Sequence, residues 1–290
     1  MVDYLDQLIA AIEFIETNLE SNIKVETVAS QSGYSPYHFH RVFRSALGES
    51  VAEYIRRRRL ALASRKLLDS DIPLSRIAME AAFESQEAFS RAFKKMYGTT
   101  PLRFRKNQAE VPIIDDSTFS RELLEHLNGG VTMEPEYKEL DKALLAVGLG
   151  ESFKIGEFEE IAKLWQTFES RRHEIEDIDP KFSLGVCLEQ HPDIPIEEGD
   201  KFIYIAAYPV SSDEKIPDGM NAVTIPSGKY AVFTHRGPIS KITQTVNYIW
   251  GTWIPRNSDK VRKGPDFEYY DDRFNPQTLE GEVDIYIPVV

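Results

Sequence analysis

Apolar residues at Leu5, Leu8, Ile9, Ile12, Ile15 and Leu19 recur at three- and four-residue intervals, the spacing that lines one face of an α-helix. The chain is therefore predicted to open with an amphipathic helix. A second stripe follows Ser35-Pro36, an N-cap residue with proline at the first helical position, and runs to about Leu47. At about 100° per residue, Phe39, Val42, Phe43 and Ala46 share one face, while Tyr37, Arg41 and Arg44 cluster opposite, flanked by His40. One face is set to pack and the other to stay open. Val51 to Asp69 reads as one long helix, with Tyr54, Ala61 and Leu68 in one row and Ile55 and Leu62 in the next. Beyond it, Phe89, Ala92, Phe93 and Met96 form another buried stripe, with Glu87, Arg91 and Lys94 opposite and Ser90 beside them.

Two of these stripes are one pattern written twice. Gly33 to Phe43 reads GYSPYHFHRVF and Ala82 to Phe93 reads AFESQEAFSRAF; the offset is 49 before the turn (Val28 with Ile77, Ala29 with Ala78, Tyr34 with Phe83) and 50 after it (Phe39, Arg41, Phe43 and Gly48 with Phe89, Arg91, Phe93 and Gly98). Repetition at a fixed period implies a duplicated unit, here a helix-turn-helix. The first turn of such a motif's second helix, Gln86-Glu87 in the second copy, approaches base edges, where Gln pairs with adenine, Arg with guanine, and Glu accepts from cytosine. A single exposed Arg is usually only solvated, but the same arrangement twice in register weakens that reading. Two readers on one face of B-DNA must sit about one turn, roughly 34 Å, apart, and the connecting helix would fix that spacing. The run Arg56 to Arg59 wraps around this helix, so one or two of the four are expected to touch phosphate.

The second half repeats too. At an offset of 85, Val147 pairs with Val232, Ile161 with Val246, Trp165 with Trp250, Phe168 with Trp253 and Phe182 with Phe267; further on the offset shortens to 79. Each copy reads strand, helix, strand, strand, so the fold class is multidomain: an all-α N-terminal domain with two helix-turn-helix motifs, then a duplicated α+β domain with a pseudo-twofold. The expected boundaries are 1–107, an acidic linker 108–130 with a short periodic stretch at Phe119, Leu123 and Leu127, and 131–290.

A net charge of −13 sits badly with nucleic acid until it is divided: residues 1–107 carry 16 Lys/Arg against 13 Asp/Glu, and residues 108–290 carry 18 against 34. Within 33–66 eight basic residues, including Arg44, Arg65 and Lys66, face only Glu49 and Glu53. The lone Cys187 excludes an internal disulfide and a cysteine-rich zinc site. No apolar run approaches the ~20 residues of a membrane span, and the acidic start is unlike a signal peptide, so a cytoplasmic location is expected.

The N-terminal half resembles the AraC/XylS DNA-binding domain, through Ala29, Gly33-Tyr34-Ser35, Phe39, Arg41, Phe43, Gly48 and Tyr54-Ile55-Arg56, then Ile77-Ala78, Phe83-Glu84-Ser85-Gln86, Phe89, Arg91, Phe93-Lys94, Gly98 and Thr100-Pro101. The resemblance implies base-facing roles for Tyr37, His40 and Arg41, with Arg44 beside them, and for Gln86, Glu87, Ser90 and Arg91. Ala82 stands where the turn often has Gly, so a left-handed residue there would be strained. The segments SGKYAVFTHRGP, WGTWIPRN, DFEYYDDRF and DIYIPV of the second half resemble the GyrI-like effector-binding domain, which implies a pocket role for Glu268. A carboxylate walled by aromatics suits a small cationic or amphipathic effector, as in multidrug sensing. Tyr230, Trp250, Tyr270 and Phe153 are the candidate lining, although Trp165, Trp250 and Trp253 share helical faces with Leu164 and Ile249 and read more readily as core than as lining.

Catalytic motifs are lacking. GLGESF at Gly148 to Phe153 misses the third small residue of a dinucleotide loop, there is no P-loop, GxSxG or HExxH, and His38 and His40 point apart on a helix. No cofactor, metal or catalytic residue is expected, and the chain reads as a transcription regulator rather than an enzyme. Promoter DNA, a small effector and RNA polymerase are the expected partners, with a monomer or weak dimer. Two rivals remain: a domain that hydrolyses a reactive electrophile, with Glu189 or Tyr230 as the second group beside Glu268, or a domain that only contacts a protein partner.

Overall fold

The computed structural model describes residues 4–21, 23–32, 36–69, 71–107, 133–154, 158–196, 201–257 and 259–290. The expected cap Ser35, the turn residues Gly33 and Tyr34, and the 108–130 stretch lie outside the described residues. The rest divides into two compact units, one helical and one built on a sheet.

The helical unit contains α1 (Tyr4–Thr17), α2 (Val25–Ser32), α3 (Pro36–Leu47), α4 (Val51–Asp69), α5 (Leu74–Glu80), α6 (Gln86–Tyr97) and α7 (Pro101–Asn107). The predicted stripes pack as expected: Phe39, Val42, Phe43 and Ala46 are buried in α3, and Phe89 and Phe93 in α6. Helix α4 starts on a reciprocal cap, the Ser50 amide donating to Glu53 Oε2 at 2.8 Å and the Glu53 amide to Ser50 Oγ at 3.2 Å, which satisfies two end amides at once. Helix α5 ends on Ala82 at φ 53°, with the Ala82 amide donating to the Met79 carbonyl at 2.9 Å and the Phe83 amide to the Ala78 carbonyl at 3.0 Å. That is a Schellman closure, and the strained residue sits where glycine usually does.

The second unit is a nine-stranded antiparallel sheet among the described residues: β1 (Glu136–Leu140), β2 (Leu144–Lys154), β3 (Ser183–Leu188), β4 (Lys201–Pro209), β5 (Asn221–Ile225), β6 (Gly228–Pro238), β7 (Asp266–Tyr270), β8 (Phe274–Asn275) and β9 (Glu280–Pro288). The order is β1-β6-β9-β7-β3-β4-β2-β5, with β8 beside β9. The duplicated units are β2-α8-β3-β4, with α8 at Phe158–Arg171, and β6-α9-β7-β9, with α9 at Ile242–Tyr248 running into a π-helical turn at Ile249–Trp253. They join at β3 and β7. Strands β1 and β5, absent from the sequence reading, each precede one copy and pair with the edge of the other, β1 on β6 and β5 on β2.

Cross-strand partners lie on one face of a sheet. Phe233, Ile285, Glu268, Gly185 and Ala206 therefore form one row across it. Trp165 and Phe168 of α8 reach Tyr204 and Tyr208 on that face, and Tyr248 and Trp253 reach Phe233. Both helices thus cover the same face, on either side of the central strands. The other face buries Val186, Ile203, Ile205, Tyr230, Phe267 and Tyr286.

Candidate functional site

Helix α6 presents the polar face predicted for it. Gln86, Glu87 and Arg91 are exposed, Ser90 is half-buried, and Ser85 caps the helix by accepting from the Ala88 amide at 3.0 Å. A backbone amide and Ser85 hold the Glu87 carboxyl below its ordinary range, so it arrives as an acceptor. Helix α3 differs from expectation. Tyr37, His40 and Arg41 are buried at 8%, 3% and 9% exposure, and Arg44 is half-buried. Arg41 donates to the Tyr37 hydroxyl at 2.6 Å and its guanidinium lies 5.4 Å from the ring centroid, one turn apart, so each side chain covers the other.

The arginine run on α4 is mostly structural. Arg57 forks onto Glu49, Arg58 onto Glu16, which also accepts from Tyr54, and Arg59 donates to the Leu19 and Ser21 carbonyls. Lys66 bridges Glu20 and Glu80. These cations tie α4 to α1 and α5, and Arg56 is left exposed on the helix.

In the sheet unit, Glu268 lies at the centre of the helix-covered face, on β7. Its Oε2 accepts from the Tyr204 hydroxyl at 2.6 Å and the Tyr270 hydroxyl at 2.8 Å, and Trp165 Nε1 donates to the Tyr204 hydroxyl at 3.0 Å. Tyr204 is buried, whereas Glu268, Tyr270 and Trp165 are half-buried and reachable. The Trp165 ring stands edge-on to Tyr270 at 5.3 Å, and Phe153 lies 6.4 Å from Tyr204. Burial, reinforced by the adjoining Glu268 charge, pushes both phenols well above the usual tyrosine value, so they stay donors. Gly185 faces Glu268 across β3, and a Cβ there would overlap the Tyr204 hydroxyl and lie 2.7 Å from Glu268 Oε2. Two neutral donors fix the carboxylate without cancelling its charge, and the rings beside it can take a cation on their faces.

Two expected lining residues are corrected. Tyr230 is fully buried on the opposite face, its hydroxyl donating to the Pro226 carbonyl at 2.7 Å and Arg262 lying 4.9 Å from its ring centroid. Strand alternation turns it away, three residues from Phe233. Trp250 is 2% exposed within the π-helical turn, a core residue. Tyr270 and Phe153 do gather near Glu268. Trp165 joins them, and so does Tyr204, which sequence reading passed over; its alternation with Phe202 and Tyr208 along β4 was the available signal. Of the two candidates for a second acid or base, Tyr230 lies on the opposite face from Glu268, and Glu189 is exposed past the end of β3.

A family model described as the GyrI-like small molecule binding domain matches residues 133–290, more than half of the chain. The chain belongs to the GyrI-like family. A helix-turn-helix model matches residues 28–107, placing an AraC-type DNA-binding domain ahead of the GyrI-like one. The transcriptional regulator Rob of Salmonella typhimurium is 26% identical over 265 residues, 89% of this chain and 87% of its own. The probable transcription factor PqrA of Proteus vulgaris is 42% identical over 98 residues, 33% of this chain and 80% of its own. The solved structure of SAV2435 bound to tetraphenylphosphonium is 24% identical, with a TM-score of 0.43, over 55% of this chain and 94% of that one. The GyrI-like chain is accordingly a transcription regulator, with a DNA-binding helix-turn-helix half and a small-molecule-binding half. Among the described residues no helix is long and apolar enough to cross a membrane.

Proposed function

We propose that the GyrI-like domain takes a small cationic or amphipathic molecule against Glu268 and that its occupancy changes how the AraC-type half acts at promoters. The observation that carries this is the Glu268 carboxylate held by the Tyr204 and Tyr270 hydroxyls beside Trp165. The two neutral donors orient the carboxylate, a cation meets its charge, and a bound molecule's apolar parts lie on the rings. On the DNA side, Gln86, Glu87, Ser90 and Arg91 read bases, and Tyr37, His40, Arg41 and Arg44 do so once Arg41 leaves Tyr37.

The test is calorimetry on the full chain with tetraphenylphosphonium as the lipophilic cation. Glu268→Gln keeps the shape and removes the charge, so it should weaken binding about tenfold or more, the equivalent of ~1.4 kcal/mol. Affinity for duplex DNA, followed by fluorescence anisotropy, should not move. An unchanged Kd for the cation removes Glu268 from the site.

A further inference from the structure

A second opening lies on the other face of the sheet, near the β2–β5 edge. Asn221 stands opposite Gly148, which faces the core residue Ala207 on β4, so Asn221 is on the face away from Glu268. A cleft of about 480 Å³ opens there over Gly150, walled by Ile194 and Met220, with Asn221 at its side and Asp193 as its charged side chain; Glu151, paired with Tyr204, turns its carboxylate to the other face. That volume falls within the range of small-molecule sites.

The cleft is built rather than incidental. His191 Nε2 contacts the Ala222 carbonyl at 2.9 Å and its Nδ1 accepts from the Asp193 amide at 3.2 Å, which clamps the loop carrying Ile194 over β5. At Gly150 a Cβ would lie 2.5 Å from Ile194 Cδ1 and 3.2 Å from Asn221 Oδ1, so any larger residue would fill the floor. Asn221 is 8% exposed, yet its side-chain amide makes no hydrogen bond among the described residues. Buried amides almost always have partners, and this one faces the cleft instead.

We propose that this cleft is a second small-molecule site, which takes a compact cation with a planar nitrogen head, an amidinium or guanidinium. Such a head donates in one plane to the Asn221 carbonyl oxygen and to the Asp193 carboxylate, and its apolar body rests on Ile194 and Met220. Among the described residues no lysine or arginine lines the cleft, so an anion finds nothing there to balance it and meets the Asp193 carboxylate. The site is separate from the one at Glu268 and does not depend on it.

The test uses full-length protein with 13C-labelled methionine methyl groups, five signals in all, the Met220 one assigned through Met220→Leu. Benzamidine, the probe, should shift the Met220 signal saturably with a midpoint at or below about 5 mM. Uncharged benzamide, of the same shape, should need about tenfold more. Asn221→Ala and Asp193→Asn should each raise the benzamidine midpoint about tenfold. Where displaced signals from the other methionines show that Asn221→Ala has disturbed the fold, Asp193→Asn, at a side chain 76% exposed, decides alone. A response linear to about 20 mM, or an Asp193→Asn variant that titrates like the parent, overturns the site.

Discussion

Replacing Ala82 by Gly should stabilise the helical domain. Ala82 closes α5 at φ 53°, where a residue with a Cβ costs about 1–2 kcal/mol. Glycine removes that strain but loosens the unfolded chain, which returns about 0.4–1 kcal/mol. The two Schellman bonds run between backbone groups and survive the change, and Ala82 is only half-buried, so little packing is lost. The net gain is about 0.5–1 kcal/mol, which lifts the melting transition of a domain this size by about 2–8 °C. Circular dichroism of the full chain on heating, with the helical signal followed, reads it directly. Gly98 is the mirror case. It closes α6 at φ 71°, and a Cβ there meets nothing within 4 Å, so Gly98→Ala isolates the backbone cost and should lower the same transition by about 1 kcal/mol. If Ala82→Gly lowers the transition, or Gly98→Ala raises it, the reasoning from backbone strain is refuted.

Arg91 and Arg58 should separate cleanly. Arg91→Ala, at an exposed position of α6, should cost about 1–3 kcal/mol of specific DNA affinity by anisotropy and leave melting unchanged, whereas Arg58→Ala, which strips Glu16 of its buried partner, should destabilise by about 1–3 kcal/mol. Equal DNA binding by Arg91→Ala and the parent would take α6 out of base reading. The stability of the sheet domain should be flat to about pH 10 and fall above it, since Tyr204 and Tyr270 keep their protons when folded at pH values where the unfolded chain releases them. Urea titrations followed by tryptophan fluorescence report this domain alone, because Trp165, Trp250 and Trp253 all lie in it. Stability that rises above pH 10 contradicts the burial argument.

The helices were legible because their apolar stripes recur within each segment, and Ala82 because a missing glycine shows against its repeat partner. Roles set by distant partners were not. The run Arg56 to Arg59 offers one or two phosphate contacts without saying which, and nothing local announces that Glu49, Glu16 and the Leu19 carbonyl take Arg57, Arg58 and Arg59. Arg41 read as open because a helical wheel does not show Tyr37 folding over it. In the sheet, Glu268 came from the family resemblance, and Tyr270 and Tyr230 both entered on residue type; only Tyr270 shares the parity of Glu268 along β7. Tyr204 and Trp165 come from the first copy, so attention to the better-patterned second copy missed half of what surrounds the carboxylate. The short edge strands β1 and β5 were invisible because each takes its partner from the other copy, about 90 residues away for β1.

That exchange of leading strands sets a timetable. The first repeat of the sheet domain borders β7 at its inner edge and takes β5 at its outer edge, and β1 waits for β6; the last strand, β9, fills the gap between β6 and β7. The four strands of residues 144–225 can pair among themselves, but the sheet as a whole cannot close until β9 at Glu280–Pro288 has left the ribosome. Helices α4 to α7, by contrast, share a core drawn from residues 60–104 alone. At about 5–20 residues per second, the remaining 183 residues take roughly 10–40 s to synthesise. Every new molecule therefore spends the first part of its life as a DNA-binding half with no finished sensor attached.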